Sequence, residues 1–273
     1  MKFTSRKILL SSLVLPFALG VQSAGAAQIV EWGYEVDNSF TDFTASEGDG
    51  SVTVNGTNST LTWGTTVNSS ISITPEVDSA DGLMTNGDAV MGGTFTHDNS
   101  PIPDTDSALT SFNLNTALTL TPVDPAGDTL GALPLSFQSY FTETRNQNGE
   151  CVSQSESVCD DIFTLGNVDD LGGMQVGDNY EIAAESFTID DYSYTVFLEI
   201  VGLGELMNES CAAAGAPNGC IGFLTQENQT NNFNTRFRIE SDQVGVSVPE
   251  PGTLALLGLG LVGLGLSRRK WHA

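Results

Sequence analysis

Residues 192–200 read Tyr192-Ser193-Tyr194-Thr195-Val196-Phe197-Leu198-Glu199-Ile200, with Tyr192, Tyr194, Val196, Leu198 and Ile200 in one phase of a two-residue repeat. A pleated strand sends successive side chains to opposite faces, so this spacing predicts a half-buried β-strand. Phe187 and Ile189 carry the same signal in the opposite phase, which calls for a turn or bulge at Asp190-Asp191. Working outward, Phe233, Phe237 and Ile239 face inward with Arg236 and Arg238 outward. Phe112, Leu114, Leu118 and Leu120 share a phase broken only by Thr116, and Leu133, Leu135, Phe137 and Phe141 repeat it. Shorter candidates run 51–54, 59–63 and 69–74 between Asn and Gly turn residues. Between residues 28 and 248 no 3.6-residue stripe exceeds two turns. The expected fold is an all-β antiparallel sandwich, jelly-roll or Ig-like in arrangement. A β-solenoid would need a fixed period of roughly 20–50 residues, which is absent.

The 273-residue chain has a formal net charge of −25 and a Lys-free middle. Over 28–248 only Arg145, Arg236 and Arg238 oppose 33 of the 34 carboxylates, all but Glu250, a balance of −30. Such a surface repels phosphates and excludes unassisted nucleic-acid binding. With 40% apolar residues the middle can still bury a core.

The basic residues collect at the ends. Lys2, Arg6 and Lys7 precede an apolar run from Ile8 to Val21 and then Ser-Ala-Gly-Ala-Ala. That is the pattern of an export signal helix over 1–26, cut by signal peptidase after Ala26, with Ala27 as the alternative. At the other end, Pro249-Glu250-Pro251 leads into an apolar run over 253–266 and then Arg268-Arg269-Lys270. Fourteen residues of helix measure about 21 Å, short of a hydrocarbon core of about 30 Å, so 248–273 predicts a marginal transmembrane anchor. The trailing cations belong on the cytoplasmic side, which places the acidic domain, 27–247, outside. Gly258, Gly260 and Gly263 spell G-x-G-x-x-G, but without a preceding strand or a following acidic residue they do not form a nucleotide loop.

The Pro-Glu-Pro triplet, short helix and basic cluster resemble the PEP-CTERM sorting signal of exported Gram-negative bacterial proteins. The resemblance implies processing by exosortase in bacteria that export polysaccharide. Physically, Pro249 and Pro251 keep the backbone extended, so that Glu250 is presented just outside the bilayer.

The four cysteines fall in two close pairs, and an even count in an exported chain predicts the bridges Cys151–Cys159 and Cys211–Cys220. Zinc is disfavoured: the spacings are wider than usual and His97 lies more than fifty residues upstream.

His97 stands in Thr96-His97-Asp98-Asn99-Ser100-Pro101-Ile102. Thr96, His97, Asn99, Pro101 and Ile102 resemble the signature of the THxN family of PEP-CTERM proteins, with further similarity at Asp161-Ile162-Phe163, Cys220-Ile221-Gly222-Phe223 and Thr235-Arg236-Phe237. This implies no known activity. Physically, Phe95 should end a strand, with turn chemistry from Asp98 to Pro101. The preferred reading has the His97 ring tying that loop to a backbone carbonyl. The sharper one makes it a metal ligand or general base with Asp98, Asp104 or Asp106. No motif supplies a nucleophile.

Asp104, Asp106, Asp160, Asp161, Asp169, Asp170, Asp190 and Asp191 offer loop oxygens of the kind calcium takes, although none has EF-hand spacing, and a solvated self-repelling surface is preferred. No other cofactor is expected. Asn-x-Ser/Thr sequons such as Asn55-Gly56-Thr57 read as ordinary polar β surface.

The expected function is a non-enzymatic protein of the cell surface or extracellular matrix, briefly anchored in the inner membrane, released by exosortase and associated with exopolysaccharide in biofilm. The alternatives are a glycan-active enzyme using two carboxylates and a carbohydrate-binding module with Trp32, Trp63 or tyrosines as exposed stacking platforms.

Overall fold

Strands dominate because alternating apolar residues need a partner sheet to cover one face. The computed structural model describes residues 27–145, 151–156, 159–166, 173–177 and 179–244, with backbone alone at 183 and 184. The signal segment 1–26 and the sorting segment 248–273 lie outside the described residues, as do Asp169 and Asp170. Among the described residues no helix is long and apolar enough to cross a membrane.

In chain order the strands are β1 (Glu31–Ala45), β2 (Thr53–Val54), β3 (Thr60–Trp63), β4 (Ser69–Ile73), β5 (Glu76–Met84), β6 (Val90–Asn99), β7 (Leu109–Asp124) and β8 (Leu133–Thr142). There follow β9 (Asp161–Leu165), β10 (Gly173–Val176), β11 (Asn179–Ile189), β12 (Tyr192–Ile200), β13 (Gly204–Glu205), the short helix α1 (Asn208–Ala213), β14 (Ile221–Thr225) and β15 (Gln229–Gln243). One sheet has the order β13-β14-β9-β8-β7-β1-β5 and the other β10-β11-β12-β15-β6-β4-β3-β2. The ladders within both sheets are antiparallel.

The sheets face each other as a sandwich. Phe40, Phe112, Phe137 and Phe163 of the first share one buried cluster with Leu61, Trp63, Ile71 and Phe95 of the second. A second cluster joins Trp32, Val36 and Leu120 to Tyr194, Val196 and Ile239. Fifteen described strands exceed the seven to nine of an Ig-like domain and the eight of a jelly roll.

The alternating runs form strands as expected. Tyr194, Val196 and Ile200 are buried, and Asp190-Asp191 form the turn, with Asp190 at φ 52°. The strand at 51–54 is shorter than expected, only Thr53–Val54. β1 adds a strand to those expected, with Trp32, Tyr34, Val36 and Phe40 alternating along it. The interruption is Asn38, which is buried and donates its amide to the carbonyls of Thr74 (2.9 Å) and Gly92 (3.2 Å), so that a polar residue satisfies a core position.

β9 is buried on both faces. Asp161, Phe163 and Leu165 point into the sandwich, while Ile162 lies under Leu206, Cys211, Ala214, Ala216 and Cys220. The 211–220 disulfide closes this cover, and the 151–159 disulfide closes the connection from β8 to β9.

Candidate functional site

The buried polar groups gather where several strands end together. β8 stops one residue before Glu143, β9 starts at Asp161, β14 stops at Thr225 paired with Asp161, and β6 stops at Asn99 paired with Gln229. Along each strand the inward phase that carries apolar residues continues into a polar one: Phe137, Phe141, Glu143; Phe163, Asp161; Phe223, Thr225, Glu227; Phe95, His97, Asn99.

β6 does not end at Phe95 but runs on to Asn99, because β4 and β15 pair with it on both sides through His97. His97 is therefore inside the sandwich, 1% exposed, rather than on a loop. Its ring stacks on Trp63, with centroids 5.9 Å apart, and meets the edge of Phe141 at 5.1 Å. Nδ1 lies 2.8 Å from Thr225 Oγ1, not against a backbone carbonyl. The Thr225 hydroxyl donates its one proton to the carbonyl of Asp161 at 3.3 Å, so it accepts from His97 Nδ1–H. Burial pushes the His97 pKa down to about 3, and the ring is neutral. The lone pair is left on Nε2, which makes no hydrogen bond and stands 3.8 Å from Asp161 Oδ2.

The carboxylates repeat this pattern of one atom tied and one untied. Glu143 Oε2 accepts from Trp63 Nε1–H at 2.7 Å while Oε1 is buried without a bond. Asp161 Oδ1 accepts from the Thr144 amide at 2.8 Å while Oδ2 is buried without one. Asn99 donates its amide to the carbonyl of Thr225 at 3.1 Å, leaving Oδ1 buried and unbonded. Glu143, Asp161 and Glu227 each offer an oxygen within 4.8 Å of the others. Burial pushes the Glu143 carboxyl up to about 8 against the Trp63 hydrogen bond, with the Glu227 charge adding to the rise. Burial, then the Glu143 charge, holds Asp161 well above the usual carboxylate range, against the opposing Thr144 bonds. Such a cluster can share protons or hold a cation; separate, fully charged carboxylates are not a stable arrangement for it.

The expected partners of His97 lie elsewhere. Asp98 points outward and accepts from Thr230, Asp106 accepts from the Thr65 amide and hydroxyl, and Asp104 is exposed. Of the calcium candidates among the described residues, Asp161 alone joins the cluster. Asp160 accepts from the Glu156 amide, and Asp190 and Asp191 occupy their own turn. Of the motif residues, Thr96 bonds Asn232 on the outer face, Pro101 is exposed and Ile102 enters the core. Trp32 and Trp63 are interior, 0% and 1% exposed, so neither is a stacking platform. Trp63 pairs with Glu143 and His97 because β3 delivers it to the inner face. Glu143, Thr225 and Glu227 are not among the residues expected from sequence; their signal is a polar residue continuing an apolar phase at or just past a strand end.

The PEP-CTERM protein-sorting motif matches residues 247–270, which include Pro249, Glu250, Pro251, Arg268, Arg269 and Lys270. The chain thus carries the mark of an exosortase-sorted protein destined for the cell surface, borne behind an all-β domain with two disulfides. Neither the curated proteins nor the solved structures yield a match.

Proposed function

We propose that this is a non-catalytic protein of the bacterial surface or extracellular matrix, exported by its N-terminal signal, held briefly in the inner membrane and released by exosortase to associate with exopolysaccharide. The observation that carries the reading is the sorting motif at 247–270, set behind an acidic domain closed by two disulfides. Disulfides suit an oxidising compartment, and a balance of −30 over 28–248 keeps the domain soluble and repels anionic neighbours. Divalent cations, calcium among them, would screen that charge. The likeness of Thr96 to Ile102 to the THxN signature belongs with this proposal and adds no activity to it.

The enzyme reading is the weaker one. Glycosidase carboxyls flank a sugar-sized cleft open to substrate, whereas Asp161 and Glu227 are buried.

The test is fractionation of cells with and without exosortase. The expected result is a shortened chain beyond the inner membrane when exosortase is present, and full-length chain retained in that membrane when it is absent. Full-length chain in the inner membrane of exosortase-positive cells, with no shorter product, would overturn the sorting step.

A further inference from the structure

We propose that Glu143, Asp161, Glu227 and His97 form a binding site for one divalent first-row transition ion, of the zinc or manganese class. The donors are three carboxylate oxygens within 4.8 Å of one another and an imidazole Nε2 3.8 Å from Asp161 Oδ2. Two ligands about 2.1 Å from an ion lie about 3.4 Å apart at a tetrahedral angle and about 4.2 Å apart when opposed, so the carboxylate oxygens, within 4.8 Å of one another, stand near the separations an ion sets, with His97 Nε2 placed against the Asp161 oxygen.

The acidic trio alone would be no argument. The independent observation is His97 Nε2, fully buried, bearing a lone pair by the Thr225 relay, and facing another bare acceptor, Asp161 Oδ2. Two acceptors turned toward each other in a buried site need a proton or a cation between them. The supporting bonds are those that ligands require. Thr225 sets the imidazole tautomer, Trp63 Nε1–H holds one Glu143 oxygen and the Thr144 amide holds one Asp161 oxygen, each leaving the other atom to coordinate. Calcium takes six to eight oxygens and no nitrogen; one imidazole with three carboxylates suits zinc or manganese.

The competing account is a metal-free cluster that shares carboxyl protons. The chain recovered from its own cell envelope is dialysed against metal-free buffer, assayed for metal by mass spectrometry and melted with and without added zinc or manganese. The expected result is about one tightly held ion per chain, and a melting temperature about 5–10 °C lower after chelation. H97A and E143Q should lose the ion and the metal-dependent shift. After chelation E143Q should melt no lower than the chelated native chain, because it removes a buried carboxyl next to two others. Metal below about a tenth of an equivalent, with no shift beyond that given by matched magnesium, would overturn the site in favour of shared protons.

Discussion

The Thr144 amide donates to Asp161 Oδ1 at 2.8 Å, and the Thr144 hydroxyl donates to the carbonyl of Cys159, two residues earlier. The connection that begins at Glu143 and ends at Asp161 is thereby folded back on itself, and the Cys151–Cys159 bridge closes it. The disulfide nearest the acidic cluster is therefore part of the frame that holds the cluster.

Opening that bridge should do more than lengthen a loop. Closing loops of this size contributes about 2.5 kcal/mol on chain-entropy grounds. The double variant C151S/C159S should lose about that much in urea denaturation and also lose most of the metal-dependent rise in melting temperature. C211S/C220S, whose bridge closes the cover over Ile162, should lose similar stability and keep the metal response.

Trp63 should matter through one nitrogen. Replacing Trp63 by Phe keeps an aromatic surface against His97 and Phe141 but removes the 2.7 Å donor to Glu143 Oε2. Losing a buried partner costs about 1–3 kcal/mol. The chelated protein should show that loss in denaturant titration; an unchanged midpoint would mean that the Glu143 carboxyl finds another donor.

Phe163 ties β9 to its neighbours, stacking on Phe223 with centroids 4.7 Å apart and packing against Phe95 of the facing sheet at 5.0 Å. Phe163→Ala should cost about 3–5 kcal/mol. Phe197→Ala, on a half-buried outer position under Arg238, should cost clearly less by the same measurement.

Acid should weaken one surface pair in a defined direction. Arg238 donates to both Glu181 oxygens, at 3.0 and 2.8 Å, and these hydrogen bonds hold the Glu181 pKa below its ordinary 4.5, with burial opposing. The folded value is depressed, so the contribution is complete above the unfolded pKa and is lost as pH falls through the folded value. The stability difference between the native chain and E181Q should be constant from pH 7 to about 5.5 and shrink below pH 4.5. A partly exposed pair of this kind contributes about 0.2–1 kcal/mol, so pH-dependent melting rather than a single midpoint is the measurement.

Much of the architecture was legible because its signals are local. Tyr194, Val196 and Ile200 alternate within one strand, and the turn at Asp190-Asp191 is declared by the phase change across it. The close cysteine pairs sit eight and nine residues apart and could bridge without long-range information. β1 is less legible because Asn38 breaks its apolar run, and only its two carbonyl partners, 36 and 54 residues away, show why an amide is tolerated there.

Alternation, cysteine spacing and the Pro-Glu-Pro segment are properties of a few consecutive residues, so the sequence alone determined an acidic, disulfide-braced β protein with a sorting motif. The cluster of His97, Glu143, Asp161 and Glu227 was decided by tertiary structure. Period-2 spacing tells which face a side chain takes but not which strand lies opposite. It took the pairing of Thr225 with Asp161 and the facing of the two sheets to bring residues 130 positions apart, His97 to Glu227, into one buried site.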